Sequence, residues 1–64
     1  MKSSYDPDVD ALFVRFTDRA IVESEEVSLD VIIDYDMEGK IVGIEPLTAT
    51  LRLGDGFSVS SVAA

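Results

Sequence analysis

The sequence predicts a mainly β domain, an antiparallel meander of about four strands followed by a short C-terminal helix, with an α+β class as the alternative. Residues 11–17 form a short apolar run that alternates along its length, which is the pattern of a β-strand. Residues 31–36 and 40–47 are two β-branched runs joined by a turn that contains Gly39, which is typical of a β-hairpin. These three segments therefore predict most of the sheet.

The remaining strand signals are weaker. Residues 5–8 contain Pro7 and two aspartates, a composition typical of a turn. Residues 21–27 predict another strand, although a short helix over 24–29 competes with it. The carboxylates of this segment suit an edge strand, where charges discourage unwanted pairing.

The C-terminal quarter leaves two interpretations open. Residues 47–53 could form a short helix that begins after Thr48 and ends at Gly54, as cap and stop preferences allow. Thr48 and Thr50 suit a strand equally well. We expect one domain over residues 1–53 and a flexible tail over residues 54–64.

The length limits how stable one copy of the chain can be. A chain of 64 residues buries only about 60% of its unfolded surface, and many domains of this size depend on disulfides, metals or oligomerisation. The chain has no cysteine, so disulfides are excluded. The composition therefore favours a homo-oligomer, such as a homodimer.

The charge predicts the kind of partner. Thirteen acidic and five basic residues give a net charge of −8, which repels nucleic acids and anionic membranes and attracts a basic protein. No apolar run reaches the length of about 18 residues that crosses a bilayer, and residues 1–4 resemble no secretory leader. We expect a cytoplasmic location with no nucleic-acid or membrane partner.

One segment resembles a calcium-binding loop. Asp34, Asp36, Glu38, Gly39 and Glu45 occupy the positions that a helix-loop-helix calcium site would use. The flanking residues have strand propensity, however, whereas such a loop needs helices. We expect no metal site and no cofactor, and these four carboxylates remain the metal candidates.

A second acidic cluster contains Asp6, Asp8 and Asp10. These three residues could hold magnesium, but turn and cap roles explain them more simply because aspartate bonds readily to nearby backbone.

We expect no enzymatic activity and no catalytic residues. The chain has no histidine and no cysteine, so the usual general base and thiol nucleophile are missing. No phosphate-binding glycine motif is present. Glu23, Glu25 and Glu26 are the candidate partner-binding residues, because together they form an acidic stripe on the predicted edge strand.

Three segments resemble the small prokaryotic proteins of domain-of-unknown-function family 2283. They are residues 5–14, residues 24–27 and the hairpin of residues 31–45, and the likeness covers most of residues 5–51. The resemblance implies a β-rich domain with a short helical end and no established catalytic residues. It also implies a gene that often lies beside one for a small ribonuclease-like toxin candidate. The tail after Leu53 departs from the usual family ending.

The leading functional hypothesis is a non-enzymatic protein-interaction module, antitoxin-like, whose acidic surface masks a basic toxin. A divalent-metal-binding module and a purely structural homodimer are the alternatives.

Overall fold

The computed structural model describes residues 1–54, 56–59 and 61–62. Within these ranges the chain forms six strands and one helix. They are β1 (Lys2–Asp6), β2 (Ala11–Arg15), β3 (Glu23–Ser28), β4 (Val31–Tyr35), β5 (Ile41–Pro46), α1 (Ala49–Leu53) and β6 (Ser61–Val62). The predicted class is confirmed, since the molecule is mainly an antiparallel sheet with one short helix near its C-terminal end.

The strands form one sheet in the order β3-β4-β5-β2-β1-β6. Strands β3, β4 and β5 form a meander, as predicted, but β2 pairs with β5 and not with its successor β3. Only the β1–β6 pair is parallel among the described strands. The crossover from β2 to β3 therefore leaves β3 at one edge of the sheet.

Gly43 explains how β2 can lie against β5. A Cβ atom at this position would lie 2.5 Å from the carbonyl oxygen of Val14 on β2, a distance that forces the backbone to move. Glycine therefore permits a close approach of the two strands that no other residue allows. The pairing continues beyond β2, where the Phe16 amide donates to the Val42 carbonyl at 2.7 Å.

The first strand was not predicted. Residues 5–8 were expected to form a turn, whereas residues 2–6 pair with β2 along their full length, from Lys2 opposite Arg15 to Asp6 opposite Ala11. Lys2, Ser3 and Ser4 have no strand signal of their own. The free edge of β2 provides hydrogen-bond partners for this segment, and the turn lies later, at residues 7–10.

The hairpin of β4 and β5 contains an irregularity that changes its register. Tyr35 lies opposite Ile41, but Asp34 lies opposite Gly43, whereas a regular antiparallel ladder would place it opposite Val42. One residue of β5 is thus unmatched, which is the definition of a β-bulge. Ile32 consequently faces Glu45, and every pair beyond the bulge differs by one residue from the register of a regular ladder.

The helix closes one end of the sheet through contacts with Asp10. Thr48 lies at its N-cap with φ 51°, and no side-chain bond of Thr48 caps the helix. Asp10 supplies the cap instead: its carboxylate accepts the Thr50 amide at 3.2 Å, and its carbonyl accepts the Ala49 amide at 2.8 Å. The helical interpretation of this segment is confirmed, and Gly54 ends the helix as predicted.

The buried apolar core is small. Within the described part of the chain it consists of Ala11, Leu12, Val42 and Ala49. Val14, Ile33 and Ile44 lie side by side across three strands on one face of the sheet and are only half-buried. Many larger apolar side chains therefore remain partly in contact with solvent.

The predicted tail contacts the sheet where it is described. The Phe57 ring packs edge-on against Tyr5 with 5.2 Å between ring centroids, and Ser61–Val62 pairs with β1. The rest of the predicted tail, residues 55, 60, 63 and 64, lies outside the described residues, and the flexibility of the segment stays a prediction.

Candidate functional site

The acidic strand β3 lies at the edge of the sheet, as the charge pattern predicted. All six of its residues are exposed, and its only strand neighbour among the described residues is β4. Glu25 lies beside Ile33 and Glu23 beside Tyr35, so these two carboxylates share the apolar face of the sheet. Glu26 lies on the opposite face, beside Ile32.

The carboxylates of β3 have few partners in the molecule. Within the described ranges, neither Glu23 nor Glu25 makes an ion pair or a side-chain hydrogen bond. Glu26 accepts the Asp30 amide at 3.3 Å across the turn that follows. The strand consequently presents uncompensated negative charge together with one unoccupied backbone edge.

A shallow cavity adjoins the beginning of β3. Its volume is about 290 Å³, and its lining is mostly apolar. The residues that form it are Arg19, Ala20, Val22, Asp36, Met37 and Glu38. Val22 and Met37 are 61% and 86% exposed, so two apolar side chains at its rim are open to a partner.

Asp36, one of the metal candidates, organises the turn between β4 and β5. One carboxylate oxygen accepts the amides of Glu38 and Lys40, each at 2.9 Å, and the other accepts Arg19 Nε at 2.6 Å. The hydrogen bond from the Lys40 amide, with those from Glu38 and Arg19, holds the pKa of Asp36 below its usual range. One carboxylate oxygen of Asp36 thus serves the turn, and the other serves the ion pair with Arg19.

Asp34 and Glu45, two further metal candidates, form a hydrogen-bonded pair on the opposite face. Burial and the neighbouring Asp34 carboxylate raise the pKa of Glu45 to about 7, so protonated Glu45 donates to Asp34 below that pH. Ser24 Oγ donates to the buried Asp34 at 2.6 Å from β3. The β-bulge creates this pair, because it moves Gly43 opposite Asp34 and places Glu45 on the same face.

The four metal candidates therefore do not converge. Glu45 lies beside Asp34 on one face, Asp36 holds the turn, and Glu38 lies exposed beside Lys40 at 3.7 Å. No group of three or more potential ligands able to hold a metal ion occurs within the described part of the chain.

The cluster near the N-terminus has the turn and cap roles that were considered. The Asp6 carboxylate accepts the Asp8 amide at 3.0 Å. Asp10 accepts Tyr5 Oη at 2.6 Å and Thr50 Oγ1 at 2.7 Å, in addition to capping the helix. The bond from Tyr5 lowers the pKa of Asp10, and the same bond raises the pKa of Tyr5.

Sequence reasoning missed the Asp34–Glu45 pair and the Arg19–Asp36 ion pair. The Asp34–Glu45 pair could have been predicted only together with the β-bulge, because the bulge brings residues 34 and 45 to one face of the sheet. The Arg19–Asp36 ion pair joins the β2–β3 crossover to the β4–β5 turn, and no local pattern encodes such a contact.

Comparison with known proteins identifies the family. Residues 2–50 match the family described as protein of unknown function (DUF2283), so the chain belongs to this family. The match confirms the resemblance noted in the sequence. No curated protein and no solved structure gives a significant match.

The described residues include no helix that is long and apolar enough to cross a membrane.

Proposed function

We propose that this protein is a non-enzymatic interaction module that binds a basic partner protein through β3. The observation that carries the proposal is the combination of an edge position, full exposure and three carboxylates on one six-residue strand. The net charge of −8 adds a long-range field of the same sign. Such a field steers a basic protein towards the surface and raises the association rate.

The carboxylates of β3 are available for this role because the fold does not use most of them. Glu23 and Glu25 have no ion-pair partner within the described ranges, whereas Asp10, Asp30 and Asp36 each hold a turn or the helix. A basic partner would neutralise the edge without breaking any contact that holds the sheet together. The edge charges therefore fit a docking role better than a structural one.

The finer form of the proposal is an antitoxin-like role, in which the acidic edge masks a basic toxin. A flanking gene that encodes a small, strongly basic protein would support this form. Expression of that protein should slow growth, and co-expression of the wild-type chain should restore it. A variant with lysine in place of Glu23 and Glu25 should not restore growth. If it restored growth as well as wild type does, the acidic edge would not be what masks the toxin.

Affinity capture from the native cell tests the general proposal. The three baits are the wild-type chain, a Glu23→Lys/Glu25→Lys variant and a matched Asp8→Lys/Asp18→Lys variant. Both variants change the net charge from −8 to −4, and Asp8 and Asp18 are exposed with no side-chain partner in the described part of the chain. We expect wild type and the Asp8/Asp18 variant to retain a basic protein that the β3 variant loses. Equal retention by all three baits would overturn the proposal.

We propose in addition that the chain is a homodimer, because so few of its apolar side chains are buried. Among the residues that the structure describes, four form the buried apolar core, while Phe16 and Ile41 are both 45% exposed and Leu51 is 73% exposed. A second copy could cover such surface. Light scattering after size-exclusion chromatography should give about twice the chain mass of 7.0 kDa. A mass of one chain at micromolar concentration would contradict the dimer.

A further inference from the structure

The outer edge of β3 carries unpaired backbone groups over six residues. In an antiparallel sheet, alternate residues of each strand direct their N–H and C=O groups to opposite sides. The inner groups of β3 pair with β4, and no backbone hydrogen bond to its outer side occurs within the described ranges. An open edge of this kind is a template for one more strand.

The charge of this edge decides which strand would add to it. If β3 of a second copy paired with it, glutamates of one copy would lie next to glutamates of the other, and like charges on adjacent strands are destabilising. A strand with lysine or arginine at alternate positions would instead place its cations beside Glu23 and Glu25, which lie on one face. The edge thus rejects its own copy and fits a basic segment.

The cavity at the beginning of β3 provides an anchor for the same segment. Val22 precedes the strand directly and lines the cavity, which has a volume of about 290 Å³. Arg19 and Asp36 are joined by their ion pair, which leaves Ala20, Val22 and Met37 as the apolar part of the lining. An apolar side chain at one end of an added strand would be accommodated there.

We propose that the basic partner binds by strand addition: an extended segment with alternating basic residues pairs with the outer edge of β3 and places an apolar side chain in the adjoining cavity. The inference rests on the proposed function and specifies its mode. It differs from docking of a folded basic surface, which would contact the carboxylates and leave the β3 backbone free.

The probe is a ten-residue synthetic peptide in which lysine alternates with valine, ending in leucine. Its control has the same charge but has proline at the valine positions, so it cannot supply the ladder of hydrogen bonds. Binding is followed by amide chemical shifts, and amide hydrogen exchange of β3 is measured with and without saturating peptide. We expect the outward amides of β3 to exchange at least about tenfold more slowly with the lysine-valine peptide and at unchanged rates with the proline peptide.

Three protein variants complete the test. The Glu23→Lys/Glu25→Lys variant should bind the lysine-valine peptide about tenfold more weakly than wild type at low salt. The Asp8→Lys/Asp18→Lys variant should bind it with the affinity of wild type. Met37→Ser should weaken binding of this peptide too if the cavity is the anchor, because it removes an apolar side chain of the lining without adding charge. Met37 is 86% exposed, so this change leaves the fold intact.

The outcomes separate the mode from the function. Peptide binding that depends on Glu23 and Glu25 without amide protection would overturn strand addition and leave docking to the acidic edge standing. Equal affinity of the lysine-valine and proline peptides would also overturn strand addition. Loss of the dependence on Glu23 and Glu25, in both the peptide and the capture experiment, would overturn the proposed function together with its mode.

Discussion

The carboxylates of the turns and those of β3 share one chemistry but lie in different surroundings. Asp10, Asp30 and Asp36 each accept bonds from distant parts of the chain and so fix the ends of the sheet. Glu23 and Glu25 lie on a fully exposed strand and bond to no side chain within the described ranges. The acidic residues behind the net charge of −8 therefore include two groups. The carboxylates of the turns stabilise the fold, and those of β3 remain available for a partner.

The same contrast separates the centre of the sheet from its β3 edge. At the centre, β2 and β5 meet at Gly43 with no room for a side chain, and Val42 is fully buried. At the edge, the strand has solvent on its outer side. Substitutions at the centre should therefore change stability, and substitutions at the edge should change binding.

Gly43→Ala should have the largest effect on stability. The added Cβ would lie 2.5 Å from the Val14 carbonyl, so β2 and β5 must separate, and overpacking of this kind costs about 1–3 kcal/mol. Gly39→Ala is the control: its φ of 78° is unfavourable for alanine, but no atom lies within 4 Å of the new Cβ. Thermal unfolding followed by circular dichroism measures both. A smaller fall in Tm for Gly43→Ala than for Gly39→Ala would show that a Cβ atom at position 43 does not disrupt the pairing of β2 with β5.

Asp36→Ala should have the next largest effect. It removes the acceptor for the Glu38 and Lys40 amides and the partner of Arg19, so we expect a fall in Tm of several degrees at pH 7. The pKa of Asp36 is lowered in the folded protein, so its contribution is present above the ordinary carboxyl pKa near 3.8 and is lost as the pH falls below it.

The control for Asp36 comes from the edge of the sheet. Glu25→Ala should leave Tm almost unchanged at every pH, because Glu25 has no side-chain bond in the described part of the molecule. The difference in Tm between Asp36→Ala and wild type should shrink below pH 3.8. A constant difference from pH 7 to pH 3 would mean that the Asp36 carboxylate is not what holds the turn.

Glu45→Gln should change how stability depends on pH. The folded pKa of Glu45 is raised to about 7, above its ordinary value of 4.5, so its contribution is fully present below pH 4.5 and is lost as the pH rises to about 7. Because Glu45 is partly exposed, solvent screening limits this loss to on the order of 1–2 kcal/mol. Glutamine keeps a donor towards Asp34 at all pH values.

Urea unfolding at pH 4.5, 6 and 8 measures this effect. We expect wild type to lose stability relative to Glu45→Gln as the pH rises, with Glu38→Gln as an exposed control that follows wild type. Parallel pH profiles for wild type and Glu45→Gln would rule out a raised pKa of Glu45 in the folded protein.

Sequence alone predicted the elements that have a strong local signal. The alternation of residues 11–17, the β-branched runs around Gly39 and the carboxylates of residues 23–26 each correspond to a strand of the structure. The edge position of β3 was predicted as well, since a stripe of carboxylates is costly anywhere else in a sheet.

The parts that sequence did not predict depend on contacts between distant residues. Lys2, Ser3 and Ser4 become a strand because β2 offers a free edge, and the β2–β5 pairing depends on the small size of Gly43. A single bulge at Val42 changed the register and brought Glu45 to Asp34. The acidic edge was therefore predictable, whereas the Asp34–Glu45 pair was not.

Neutralising the edge should have the smallest effect on stability. Glu23→Gln/Glu25→Gln keeps the shape of both side chains, removes their charge and replaces one acceptor oxygen of each with an NH2 donor. Exposed positions of this kind change the free energy of unfolding by less than about 0.5 kcal/mol, and here the reduced repulsion along β3 favours the variant slightly.

Binding of the lysine-valine peptide should nevertheless weaken several-fold at low salt and converge with wild type at high salt, because screening removes the contribution of exposed charges. Isothermal titration at 20 mM and 500 mM salt, values chosen on either side of a Debye length of about 10 Å, measures both affinities. A variant that unfolds at a clearly lower temperature would show that Glu23 and Glu25 serve the fold, as the turn carboxylates do, and the contrast between the two sets would disappear.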